Sequence, residues 1–184
     1  YYRRARNLQK AAKVVVEDFD GKFPKTYSEI RSLPGVGDYT AGAVCHFAFN
    51  QSAPMVDANI ARVLARLFDF HEEIESTAGK RQLADWSEQL SDPKNARVFG
   101  AGVMEVGQRI CTPRSPRCLE CAVAKYCKTR LPESLPRKKQ RAKTEFVDEH
   151  VWWIRDTKGR VLLQQERGKR RSGLWKLPAA GENP

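Results

Sequence analysis

Four of the chain's five cysteines fall within seventeen residues, spaced Cys111-x6-Cys118-x2-Cys121-x5-Cys127. Thiolates gathered this closely, four in one short loop, point to a bound metal rather than to disulfides. Two groups take four thiolates: a single zinc ion and a [4Fe–4S] cluster. One compact loop with a gap of six departs from the paired spacing usual for zinc. Arg109, Arg114, Arg117, Lys125 and Lys128 flank the loop and could offer positive charge to phosphates. Cys45 lies in an apolar run and reads as a packing residue.

A second candidate site is the stretch Leu33-Pro34-Gly35-Val36-Gly37-Asp38-Tyr39-Thr40-Ala41. Gly35 and Gly37 can take positive φ and let backbone approach a ligand closely. The helix that follows would aim free N–H groups and its positive dipole end outward, which suits a phosphate. Asp38 reads as the cap of that helix. A helix, Leu-Pro-Gly-Val-Gly and a small-residue helix make the helix-hairpin-helix signature, whose contacts place a protein on DNA without reading sequence. Leu33, Pro34, Gly35, Val36, Gly37, Tyr39 and Thr40 are therefore the candidate DNA-binding residues.

The third is Asp57, in Pro54-Met55-Val56-Asp57-Ala58-Asn59. It stands where an N-cap belongs, a role worth about 1 kcal/mol. The helix dipole also favours its ionised form. A carboxylate facing a DNA groove could stabilise positive charge developing on a sugar, as in an oxocarbenium-like transition state. Its place some twenty residues after the hairpin favours that catalytic role.

The elements that must carry these residues are helical. Leu8, Ala11, Ala12, Val15, Val16 and Phe19 recur at helical spacing over residues 4–19. Thr26-Tyr27-Ser28-Glu29 is a capping box opening a short helix through Leu33. Residues 39–49 suit a buried helix, and Ile60, Val63, Leu64, Leu67 and Phe68 line one face of the next. Residues 80–90 and 94–110 predict two more. Residues 128–145, with seven basic residues and two acids, read as a linker. Two β-type runs, 150–155 and 160–165, then flank the turn Asp156-Thr157-Lys158-Gly159. Trp86, Trp152 and Trp153 read as core, and His46, His71 and His150 show no ligand spacing.

The chain's 184 residues carry 33 Lys and Arg against 22 Asp and Glu, a net charge of +11. A basic balance of this size favours a nucleic-acid partner. No run approaches the roughly 18–20 apolar residues of a membrane helix, and the N-terminus lacks the apolar core of a signal peptide. The sequence is therefore expected to act inside the cell with DNA (in a bacterium, cytoplasmic and nucleoid-associated), without a membrane and as a monomer.

Together the three motifs resemble the helix-hairpin-helix DNA glycosylase superfamily, over essentially residues 1–127. Endonuclease III-like members carry a Schiff-base lysine two residues after the second hairpin glycine; here that position is Tyr39. Asp57-Ala58-Asn59, Val103-Met104-Glu105-Val106-Gly107 and the opening Tyr1-Tyr2-Arg3-Arg4-Ala5-Arg6-Asn7-Leu8 resemble the adenine DNA glycosylase (MutY) family instead.

The resemblance implies a mainly α fold: a helix-hairpin-helix glycosylase domain over 1–127 with its iron–sulfur loop at 111–127, a basic linker over 128–145, and the start of an α/β Nudix-like domain over 146–184. It implies a [4Fe–4S] cluster on Cys111, Cys118, Cys121 and Cys127, and a partner of double-stranded DNA holding adenine opposite 8-oxoguanine or guanine. Adenine would be flipped into a pocket, protonated and released. Asp57 would stabilise the sugar cation, Asn59 would support Asp57 by a hydrogen bond, and Tyr1 would wedge beside the opposing base. The family's general acid is a glutamate in a helix upstream of Tyr1, so these 184 residues alone are expected to have little or no activity. The competing readings are an endonuclease III-like glycosylase/lyase for damaged pyrimidines, a non-catalytic iron–sulfur DNA-binding module, and a Nudix-type diphosphate hydrolase.

Overall fold

A computed structural model describes residues 2–139, 144–168 and 171–180. It divides into two compact units, Tyr1–Gln140 and Arg141–Pro184.

Among the described residues, the first unit holds six α-helices: α1 Tyr2–Asp18, α2 Tyr27–Ser32, α3 Asp38–Phe49, α4 Ala58–Leu67, α5 Thr77–Leu90 and α6 Ala96–Glu105. The capping box at Thr26 and Glu29 forms in full and starts α2. Helix α6 runs into a π-helical turn, Val106–Ile110, that leads to Cys111. Pi turns of this kind open the helical ladder, and they cluster at functional sites.

Helix α4 is the centre of the unit. Every residue from Ile60 to Arg66 is buried, and the main core joins Ile60, Ala61, Leu64 and Ala65 to Met55, Ile74 and Leu83. A smaller core under the hairpin joins Ile30, Ala41, Cys45 and Ala53. Cys45 thus packs as expected. His46 is fully buried, with its ring nitrogens 2.9 Å from the carbonyl oxygens of Ala96 and Ala53. It ties α3 to α6 and to the loop before Asp57.

That loop lies flat on α3. A Cβ at Gly42 would stand 2.0 Å from the Pro54 carbonyl oxygen and 3.0 Å from the Met55 Cα. Ser87 of α5 fixes Met55 from the other side: its hydroxyl accepts from Met55 N at 3.2 Å and donates to Met55 O at 2.9 Å. Gly42→Ala should therefore push the loop off α3. The expected loss is about 3 kcal/mol, the upper end for overpacking, because the obstructing atoms are backbone. The urea midpoint of the variant would measure it.

The stretch read as a linker is, through residue 139, a strap on the helical unit. Lys128 N and Thr129 N donate to the carbonyls of Leu67 and Arg66, Leu135 is buried, and the Arg137 carbonyl accepts from Ile74 N. Backbone hydrogen bonds and one buried leucine hold it there, so composition alone reads as a linker.

The second unit contains an antiparallel pair, β1 Gln164–Gln165 with β2 Trp175–Lys176. The turn at Asp156 forms, with the carboxylate accepting from Lys158 N and Arg160 N at 2.9 Å. The two runs beside it meet only in a single bridge, Arg155 to Val161. Trp152 and Trp153 are exposed at 49% and 62%, against the expectation of core. Some forty residues bury too little surface to cover them.

Candidate active site and iron–sulfur centre

Asp57 is the N-cap of α4. Its Oδ1 accepts from Asn59 N at 2.9 Å and Ile60 N at 2.7 Å, and its Oδ2 accepts from Asn59 Nδ2 at 3.0 Å. Three donors on one half-buried carboxylate fix its direction. Tyr39 lies close enough for this carboxylate to act on it: burial pushes the Tyr39 phenol up, and the Asp57 charge adds to the rise. The phenol stands 4.0 Å from the Met104 sulfur.

In the hairpin, Gly35 takes φ +82°, and the Asn7 side chain of α1 fills the space where its Cβ would be, at 2.6–3.0 Å. Gly37 is extended rather than left-handed, with φ −96°, and is itself the N-cap of α3. No protein atom lies within 4 Å of its Cβ position, so this face is open. Asp38 does not cap the helix as expected. Its carboxylate accepts from Arg31 Nε at 2.5 Å, while Arg31 Nη1 donates to the Val36 carbonyl at 3.0 Å. Leu33 is 3% exposed and Val36 packs on the smaller core, so these two side chains anchor the hairpin. Pro34 is half-buried, and Gly35, Gly37 and Thr40 are exposed. Tyr1 lies outside the described residues.

Cys111, Cys118, Cys121 and Cys127 line one cavity of about 370 Å³, together with Arg66 and Ile110. Four thiols around one cavity are the donor set that a [4Fe–4S] group takes, so the residues present fit such a cluster. Burial pushes the Cys127 thiol up, and the charges of the other three cysteines add to it. Two of the basic residues near the loop are engaged internally: Arg109 pairs with Glu105 at 2.9 Å and Arg117 with Glu120 at 3.0 Å.

Two buried arginines, absent from the sequence-derived site, join these parts. Arg62, 7% exposed, donates from Nη2 to Asn59 Oδ1 at 3.1 Å and to the Gly107 carbonyl at 2.6 Å, and from Nε to the Cys111 carbonyl at 2.7 Å. The path from Asp57 through Asn59 and Arg62 to Cys111 is thus continuous. Burial pulls the Arg62 guanidinium down, opposed by Cys111 and, more weakly, by Asp57. Gly107 allows the close approach, since a Cβ there would stand 2.9 Å from the Asn59 Cβ. Arg66, 1% exposed, donates to Leu135, Thr112 and Pro113 carbonyls and to the Cys111 sulfur. The only hint in the sequence is a pair of arginines four apart on a largely apolar helix.

The helix-hairpin-helix motif model matches residues 18–47, and the iron-sulfur binding domain of endonuclease III matches residues 111–127. The adenine DNA glycosylase of Homo sapiens is 42% identical over 131 residues, which cover 71% of this chain and 24% of that protein. The adenine DNA glycosylase of Buchnera aphidicola subsp. Baizongia pistaciae is 31% identical over 179 residues, covering 96% of this chain and half of the relative. The chain therefore spans no more than half of either relative. The solved structure of a thermostable thymine-DNA glycosylase superposes with a TM-score of 0.59 at 37% identity, covering 67% of this chain and 57% of that one.

Proposed function

Since the chain is a homologue of the adenine DNA glycosylases of the MutY family, with the helix-hairpin-helix fold and a [4Fe–4S]-binding loop, we propose that its protein hydrolyses the N-glycosidic bond of adenine opposite 8-oxoguanine or guanine in DNA. The observation that carries this reading is the fixed carboxylate of Asp57, placed beside Tyr39 of the hairpin helix. The open N-terminus of α3, with Gly37 facing outward, takes a backbone phosphate. The flipped nucleotide then brings its sugar to Asp57. As the base departs with a proton from an acid, the carboxylate stabilises the cationic sugar, and water completes the hydrolysis. Asn59 holds the carboxylate in that pose. The cluster, when bound, supplies no step of the hydrolysis. Its loop shapes a DNA-docking surface with Arg114, Lys125 and Lys128. No helix among the described residues is long and apolar enough to cross a membrane, and the proposed place of action is inside the cell, as a monomer on DNA.

The domain plan goes with this reading: a glycosylase domain over 1–127, a basic connection over 128–145, and the start of a Nudix-like domain over 146–184. The complete protein should release adenine from a duplex holding adenine opposite 8-oxoguanine, leave the strand uncut, and ignore thymine glycol opposite adenine. Cleavage at thymine glycol, or excision of thymine or uracil instead of adenine, would sink the assignment.

Tyr39 argues against the lyase alternative, because a phenol forms no Schiff base with the sugar. Borohydride should therefore trap no adduct with the natural protein. Tyr39→Lys places an amine beside Asp57 and should yield a trapped protein–DNA adduct on a denaturing gel. The absence of that adduct would show that residue 39 does not face the sugar.

A further inference from the structure

Arg66 is a charge with no counter-charge. The guanidinium is 1% exposed, and among the described residues no carboxylate pairs with it. Its partners are the Leu135 carbonyl at 3.0 Å, the Thr112 carbonyl at 2.7 Å, the Pro113 carbonyl at 3.1 Å, and the Cys111 carbonyl and Sγ at 3.4 and 3.3 Å. Its own carbonyl receives the Cys127 thiol at 3.4 Å. Buried cations are paired, because desolvation makes an isolated one costly. Carbonyl dipoles satisfy the N–H groups of Arg66 but do not cancel its charge. The cavity that Arg66 lines carries the four loop cysteines on its wall.

We infer that Arg66 is the built-in counter-ion of the iron–sulfur cluster, a positioning residue that sets the ease with which the cluster is oxidised. The inference rests on the iron–sulfur reading of the loop. Four thiolates leave the bound group a net anion. A cation and an N–H···S bond beside one ligand both stabilise the more negative, reduced state, and such hydrogen bonds and charges are what tune cluster potentials. The same fork spans Cys111, Thr112 and Pro113 on one side and Leu135 of the strap on the other, so one side chain clasps the start of the cysteine loop to the strap that follows it. A lysine could carry the charge but not the fork.

The test compares the complete natural protein with Arg66→Gln and Arg66→Lys. Iron and sulfide content, the midpoint potential by voltammetry and the rate of cluster bleaching in air are measured for each. Arg66→Gln is expected to move the potential negative and to bleach about ten-fold faster, in the range seen when outer partners of metal ligands are lost. Arg66→Lys is expected to keep the potential near that of the natural protein while bleaching at an intermediate rate. Equal losses of thermal stability in both variants with an unchanged potential would reduce Arg66 to a structural clasp and overturn the inference. Should Arg66→Gln fail to hold a cluster, arginine-labelled natural protein gives the answer. One guanidinium N–H signal should be displaced by the cluster and vanish in Arg66→Lys. Its absence would overturn the inference as well. Natural protein purified without iron and sulfide, or with zinc in their place, would instead overturn the cluster reading itself.

Discussion

Asp57→Asn in the complete protein should abolish most adenine release while leaving the fold nearly untouched. Asparagine can still accept from Asn59 N and Ile60 N through its amide oxygen, the two contacts that make residue 57 the cap of α4. The capping loss is therefore a fraction of the roughly 1 kcal/mol that a full deletion costs. What is lost is the negative charge, at the moment when positive charge appears on the sugar, together with the acceptor for Asn59 Nδ2. Removing one preorganised electrostatic partner of a transition state costs about 10²–10³-fold in rate. Single-turnover adenine release with bound duplex, measured beside the melting temperature, separates the two effects. Asp57→Ala makes the contrast: it should lose the rate and the full cap together. A non-catalytic DNA-binding module predicts that Asp57→Asn changes nothing beyond the small capping term, so a preserved excision rate would end the glycosylase role of Asp57.

The parts of this site that announce themselves in sequence are those governed by local rules. The capping box at Thr26 and the cap at Asp57 follow from residue type and spacing, and both form. The apolar stripe of α4 reads correctly from Ile60, Val63 and Leu64 because helical period and burial agree there. Asp38 shows where local rules run out. An acid in the first turn reads as a cap, yet Gly37 takes that place and Arg31, seven residues back, claims the carboxylate. Long-range polarity is harder still. An arginine on a helix is expected in solvent, but Arg62 and Arg66 are buried because carbonyls 45 to 69 residues later in the chain turn toward them. Gly42 and Gly107 are equally silent. Each is required by backbone that arrives from elsewhere, at Pro54 and at Asn59. In the second unit, the β-type run 160–165 does form strand, but its paired residues, Gln164–Gln165, join Trp175–Lys176, while the run 150–155 meets it in the bridge Arg155 to Val161.

Arg62→Met tests whether the two halves of the site are mechanically joined. The substitution keeps most of the apolar stem and removes every N–H. Three acceptors lose a partner: Asn59 Oδ1, the Gly107 carbonyl and the Cys111 carbonyl, the last keeping only the longer contact with Arg66 Nη1 at 3.4 Å. A buried acceptor left unpaired costs about 1–3 kcal/mol. Relaxation and water entry limit the sum, so a loss of about 3–5 kcal/mol is expected, comparable to breaking a buried charged network. The melting temperature should fall by roughly 2–4 °C for each kcal/mol. Stability alone, however, would spare the rate of molecules that remain folded. The geometry adds a second effect. Asn59 is held by Arg62 on one oxygen while its amide holds Asp57 Oδ2, so freeing Asn59 lets the carboxylate turn about its cap. Small displacements of a catalytic group can cost about 10²-fold. Adenine release by Arg62→Met, assayed well below its melting temperature, should therefore fall by about ten-fold or more. Arg62→Lys keeps the charge yet cannot reach Asn59, Gly107 and Cys111 at once, so it should recover part of the stability and little of the rate. A folded Arg62→Met that excises adenine at the natural rate would show that Asp57 is held by its helix cap alone.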